Sequence, residues 1–357
     1  MNNCAKDVNT VARLLDHQTI LGKNSCSELE KINELRLIKI LSDNKVSFQF
    51  AKKITSCNSS EILENFPRLR IYLNELWDKR QKDSVVFSQI KRKFSENNIN
   101  FLLIKSDGFF PYESDNIDIL IMPKMLGKVA TMLKNEGYTE FPKVRERNKY
   151  LFRNLQAYDI LPLHIHTRVE WEGTQFVDST DLWARSKVTN DEGGFYAPSA
   201  EDCILITTAH LFFENHRIKL ADLFKITSAI SNNKIDWNYM LDHTKRLHWE
   251  DAFCLIMLLS NLACRELFGR NIMEKNILSK IEEEESNHVF FFQKILNAPS
   301  SNTTPIVIPY YFVVLFFIRR ILYDNSLPFI ERLKHVDWIA SNVLRERIVR
   351  TQYPSVK

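Results

Sequence analysis

Two short apolar runs, Phe101 to Ile104 and Ile117 to Met122, are separated by turn chemistry at Ser106-Asp107-Gly108 and from Pro111 to Asn116. Apolar runs of that length between turn formers predict two buried strands. One charge, Asp118, interrupts the second run. A side-chain period of two puts Asn116 and Asp118 on one face of that strand and Ile117 and Ile119 on the other. A carboxylate in a buried strand requires a hydrogen-bond partner, a counter-charge or a cation. Pro123 opens a helix that Gly137 closes. Further strands are predicted at Tyr138 to Phe141, Lys149 to Arg153 and Ile160 to Val169. In the last of these, His164, His166 and Arg168 share a face opposite Leu163 and Ile165. The economical arrangement is a small mixed sheet with helices packed on one side.

Helical patterns flank this centre. Residues 1–66 alternate helical stretches with polar breaks, including Ser27 to Leu41 and Val46 to Ile54. Pro67 begins a long helix to about Asn98, with a polar gap at Arg80 to Asp83 that suits a module boundary. After Pro198-Ser199-Ala200-Glu201-Asp202, which resembles a capping box, the chain reads as almost wholly helical. Helices are expected at Asp202 to Glu214, Leu220 to Ser231, Trp237 to Leu247, Glu250 to Phe268, Asn276 to Leu296, Tyr310 to Tyr323 and Val336 to Val349. The fold class is therefore α+β: an N-terminal helical module (1–82), an α/β core (83–197) and a C-terminal helical domain (198–357).

Composition narrows the picture only slightly. In 357 residues, 45% are hydrophobic and 26% charged, the profile of a globular protein. A net charge of +4 does not by itself point to nucleic acid. Six cysteines without a Cys-x-x-Cys pair read as reduced thiols, and the charged first twenty residues carry no apolar signal core, so a cytoplasmic chain is expected. The longest apolar run, Pro305 to Ile318, falls short of the ~20 residues that span a bilayer and reads as a buried helix, with a membrane-surface element as the alternative.

Lys105-Ser106 after a strand, then Asn116-Ile117-Asp118-Ile119-Leu120-Ile121, resembles the nucleotidyltransferase-fold superfamily of DNA polymerase β type. Within it, the likeness is to stand-alone bacterial and archaeal nucleotidyltransferases of poorly known function, and it covers roughly residues 84–230. Asn116 stands where that pattern has its first Asp, Ser106 where it has a Gly, and His164 where it has a third carboxylate. The resemblance implies a nucleoside triphosphate substrate, a divalent metal such as Mg²⁺ or Mn²⁺ and an acceptor hydroxyl on an unidentified small molecule, protein or RNA end. It assigns Asp118, Asn116 and His164 to catalysis and metal binding, and Lys105 and Ser106 to the phosphates.

The residue chemistry modifies that expectation. Replacing two carboxylates by an amide and an imidazole weakens a site for Mg²⁺, whereas His164 and His166 beside Asp118 suit softer divalent metals. Solvent-facing strand histidines are the plain alternative. His210 and Glu214 also have ligand spacing on a helix, as do many solvated faces, while Glu282 to Glu285, Arg319-Arg320 and Arg345 to Arg350 read as solvated surface. Two functions follow: a metal-dependent transferase of nucleoside monophosphate, or a catalytically degenerate fold member that binds nucleotide or a protein partner. A helical scaffold that binds RNA through scattered basic residues is a third.

Overall fold

The structure is a computed structural model that describes residues 3–16, 27–56, 61–105, 113, 115–141, 148–156, 161–171, 174–189, 195–285 and 306–308, with 313, 314, 316, 318 and 330. The N-terminal helices are α1 (Asn3–Leu15), α2 (Glu34–Asp43), α3 (Ser47–Ser56), α4 (Glu61–Asn65) and α5 (Pro67–Glu96). Strands β1 (Phe101–Ile104) and β2 (Ile117–Ile121) follow, then a 3₁₀ turn at Pro123–Met125, α6 (Leu126–Asn135), β3 (Tyr138–Phe141), β4 (Lys149–Asn154) and β5 (Leu163–His166). A hairpin of β6 (Val169–Trp171) and β7 (Thr174–Val177) leads to α7 (Ser179–Arg185), β8 (Lys187–Val188) and β9 (Tyr196–Ala197). The remainder comprises α8 (Ala200–His210), a π turn (Leu211–Asn215), β10 (Arg217–Ile218), α9 (Leu220–Asn232), α10 (Trp237–Arg246), α11 (Glu250–Phe268), α12 (Lys275–Glu285) and β11 (Ile306–Val307).

The main sheet has seven strands in the order β3-β4-β5-β2-β1-β9-β8. It is mixed: β2 runs antiparallel to β1 and parallel to β5, and β1 runs parallel to β9. The class is α+β, as the residue pattern predicts. The packing is not one-sided, however. Phe101, Leu103, Ile119, Ile121, Leu163 and Ile165 join one apolar cluster with α6 and the end of α5. Leu102, Ile104 and Leu120 point the other way, into a larger cluster built from both the N-terminal and the C-terminal helices. Every residue of β1 and β2 is buried, the signature of strands covered on both faces.

Helix α5 spans both clusters. Leu69 and Leu73 lie in the larger core, while Ile90 and Phe94 lie in the smaller one. The helix does not break at Arg80 to Asp83; there it changes the core it serves. The N-terminal helices are tied to the C-terminal ones by polar contacts as well. Arg270 donates to both carboxylate oxygens of Asp16 at 2.7 and 3.0 Å, and buried Asn44 accepts the Leu220 N–H through Oδ1 at 3.1 Å.

The expected strand from Ile160 to Val169 is divided. The Thr167 N–H bonds to the Asn148 carbonyl, β5 ends at His166, and Arg168 turns out to solvent instead of sharing the histidine face. Alternation persists past the bend because β6 is itself a strand, paired with β7. The helices expected at Tyr310 to Tyr323 and Val336 to Val349, and the end of that expected at Asn276 to Leu296, fall largely outside the described residues. Val313 is nonetheless buried, and Phe316 packs edge-on against Phe212 at 5.1 Å. Among the described residues no helix is long and apolar enough to cross a membrane.

Candidate metal and phosphate site

In-register pairing of β2 with β5 sets Asp118 beside His164 and Leu120 beside His166. With Ile117 and Ile119 directed to the opposite cluster, Asp118 and both histidines face the helical side. Asp118 is 2% exposed. His166 Nε2 lies 2.8 Å from Asp118 Oδ1, and His164 Nδ1 lies 3.4 Å from the same oxygen. One ligand atom from each residue falls within 4.8 Å of the others, so the three could hold a metal ion.

Electrostatics keep this cluster anionic at its centre. Burial opposes ionisation of Asp118, yet the Lys105 ammonium and the two imidazoles hold its carboxyl well below the usual range. Burial depresses His166 to about 4, outweighing the pull of Asp118, so its imidazole is neutral near pH 7. A neutral imidazole is the form that binds a metal.

Opposite lies a hollow of about 130 Å³ shared by several parts of the chain. Its cations are Lys45, Lys105, Lys219 and Lys225; its anions are Asp115, Asp118, Glu214 and Asp222. Asn116, just before β2, borders the same hollow. Lys105 Nζ sits 3.2 Å from Glu214 Oε2 and 5.0 Å from the centre of the Trp171 ring. Glu214, on the π turn after α8, also accepts from Trp171 Nε1 and contacts His210 Nε2 at 3.1 Å. Burial would raise the Glu214 carboxyl, but Lys105 and His210 hold it well below its normal range. Lys225 Nζ donates to the Lys105 carbonyl at 3.1 Å.

Lys45 pairs with Asp115, and burial together with Lys45 depresses the Lys219 ammonium. Lys45 and Lys105 both have left-handed backbones, with φ of 55° and 66°. Such a conformation costs a non-glycine residue about 1 kcal/mol or more and is found disproportionately at functional sites. The resemblance singles out Lys105 from this set, and helical spacing flags the His210 and Glu214 pair. Lys45 in the turn after α2, Lys219 at the N-terminus of α9 and Lys225 within α9 have no motif to mark them. Ser106 lies outside the described residues.

The profile of a family described as an uncharacterised nucleotidyltransferase matches residues 113–265. This segment, which holds Asp118, both histidines, Glu214 and two of the lysines, is similar to a nucleotidyltransferase-type family of unknown function. No curated protein and no solved structure matches the chain.

Proposed function

We propose that the chain transfers a nucleoside monophosphate group from a nucleoside triphosphate to a hydroxyl of a small-molecule, protein or RNA acceptor. The observation that carries this reading is that Asp118 belongs both to a three-residue ligand cluster with His164 and His166 and to the wall of a hollow lined by four lysines. The donor set fits a divalent cation. His164 Nδ1 is buried without a hydrogen-bond partner among the described residues, beside an ionised carboxylate. Adjacent ligands of a tetrahedral ion with bonds of ~2.0–2.1 Å stand about 3.3–3.4 Å apart, close to the separation of His164 and Asp118. Two imidazoles and one carboxylate favour Mn²⁺ or Zn²⁺ over Mg²⁺.

Asp118, His164 and His166 would hold the ion, with Asn116 as a neutral oxygen donor alongside. When bound, the cation would withdraw charge from the phosphates. Lys105, Lys45, Lys219 and Lys225 supply fixed positive charge to a triphosphate, and Lys225 braces the strained Lys105 backbone through its carbonyl. In the transfer the acceptor oxygen bonds to the α-phosphorus, the bond to the bridging oxygen breaks, pyrophosphate leaves and the hydroxyl proton passes to water. Label from α-labelled ATP, CTP, GTP or UTP should enter an acceptor in cell extract with Mn²⁺ or Zn²⁺. Asp118→Ala should stop it; label transfer that survives Asp118→Ala refutes the reading.

One observation favours a second reading, a nucleotide-binding module without catalysis. A neutral His166 that donates Nε2–H to Asp118 satisfies the buried carboxylate without metal. On that reading nucleotide stabilises the chain, no label is transferred, and Asn116→Asp with His164→Asp creates activity.

A further inference from the structure

A second cavity, of about 240 Å³, opens where α5 passes from one core to the other. Its helical wall is one stripe of α5: Leu76, Lys79, Arg80, Asp83, Ser84 and Phe87. These positions follow the three- and four-residue spacing of a single helix face, which would ordinarily be buried. Here the stripe lines a space because Leu73 ends the packing against one cluster and Val86 and Phe87 begin the packing against the other. Phe48 from α3 stands across from it, buried yet in neither apolar cluster, with the Arg80 guanidinium 4.6 Å above its ring. Leu103 and Ile117 form the floor.

Asp115 and Asn116 line both this cavity and the lysine hollow, so the two spaces meet at the start of β2. The chemistry of the halves is complementary to that of one molecule. The first carries four lysines, set among carboxylates, and is bordered by Asp118 of the ligand cluster; the second has two aromatic rings, an apolar floor and polar side chains along α5. We propose that the second cavity holds the base and sugar of the nucleotide whose phosphates occupy the lysine hollow. This rests on the transferase reading for the phosphate half only. Aromatic side chains and a stacked guanidinium accept any base through its π-face, and Asp83, Ser84 and Asn116 provide polar contacts at the base edge.

Inorganic tripolyphosphate reads the phosphate half alone, and the four nucleoside triphosphates read both halves. Calorimetric titration with Mn²⁺ present should show at least one nucleoside triphosphate binding about tenfold or more tighter than tripolyphosphate. Ser84→Trp, a change at an exposed helix position that fills the cavity, should remove that difference and leave tripolyphosphate affinity unaltered. Arg80→Gln, which frees the Phe48 face, should reduce it partly. Equal affinities for tripolyphosphate and all four nucleotides, or a nucleotide affinity indifferent to Ser84→Trp, overturn this inference and leave the transferase reading standing. Failure of the native chain to bind tripolyphosphate or any nucleotide overturns both.

Discussion

The Lys105 ammonium lies 3.2 Å from the Glu214 carboxylate, 109 positions away in sequence, and joins the end of β1 to the π turn after α8. This contact makes Lys105 a charge already partly neutralised. An incoming phosphate must compete with Glu214 for it. Glu214→Gln keeps an acceptor for Trp171 Nε1 and removes the competing charge, so tripolyphosphate affinity should rise several-fold. Lys105→Ala should lower it at least tenfold, a charge-assisted contact being worth ~1.5–3 kcal/mol. Titration calorimetry on both variants checks the pair of signs, and a fall with Glu214→Gln would show that the carboxylate positions Lys105 more than it screens it.

The ligand cluster predicts an order of metals. Binding to the folded chain alone at one hundred times Kd adds about 2.7 kcal/mol of stability. Thermal unfolding should therefore rise with Zn²⁺ or Mn²⁺ and respond little to Mg²⁺ at equal concentration. His164→Ala should erase most of the increment, and its melting temperature without metal reads separately the loss of the His164 contact to Asp118. A melting temperature that responds equally to the three metals, or equally in His164→Ala, argues against a site here.

What the residue pattern reveals is whatever the strand period alone controls. Asp118, His164 and His166 face the same way because alternation fixes it, and parallel pairing of β2 with β5 then brings them together. The unbroken burial of β1 and β2 also carried the sign of a doubly covered sheet, which a one-sided arrangement overlooks. Lys45, Lys219 and Lys225 are another matter. Each reaches the hollow through helix packing between distant segments, and nothing in a local window distinguishes such a lysine from a solvated one. The same applies to the cavity beside α5, which exists because two cores share one helix.

Asn44 links the N-terminal helices to α9. Its side chain accepts the Leu220 N–H at 3.1 Å and donates to the Ile40 carbonyl at 2.9 Å, while its own carbonyl accepts from Ala221 N at 3.2 Å. Asn44 is fully buried, so Asn44→Ala strands the Leu220 N–H away from water. The loss should be ~1–3 kcal/mol, measured as a lower denaturant midpoint. Lys45 is the next residue, so tripolyphosphate affinity should fall as well. A variant with native midpoint and native affinity would separate this junction from the site.

His243 gives the stability a pH dependence with a definite sign. It is 2% exposed, and its Nε2 accepts the Asp178 N–H at 3.3 Å, which requires an unprotonated nitrogen there. Burial, with Arg246 nearby, lowers its affinity for protons below that of the unfolded chain, despite Asp181. Above pH ~6.5 both states are neutral at this residue and the shift contributes nothing. As pH falls below that, the unfolded chain takes up a proton that the folded chain resists, so stability declines until the folded-state pKa is passed. His243→Gln keeps an acceptor and cannot titrate; its denaturant midpoint should fall less than the native one between pH 7.5 and pH 5. Parallel declines for the two proteins would place the acid sensitivity elsewhere, in Asp118 and Glu214, the carboxylates that Lys105 holds ionised.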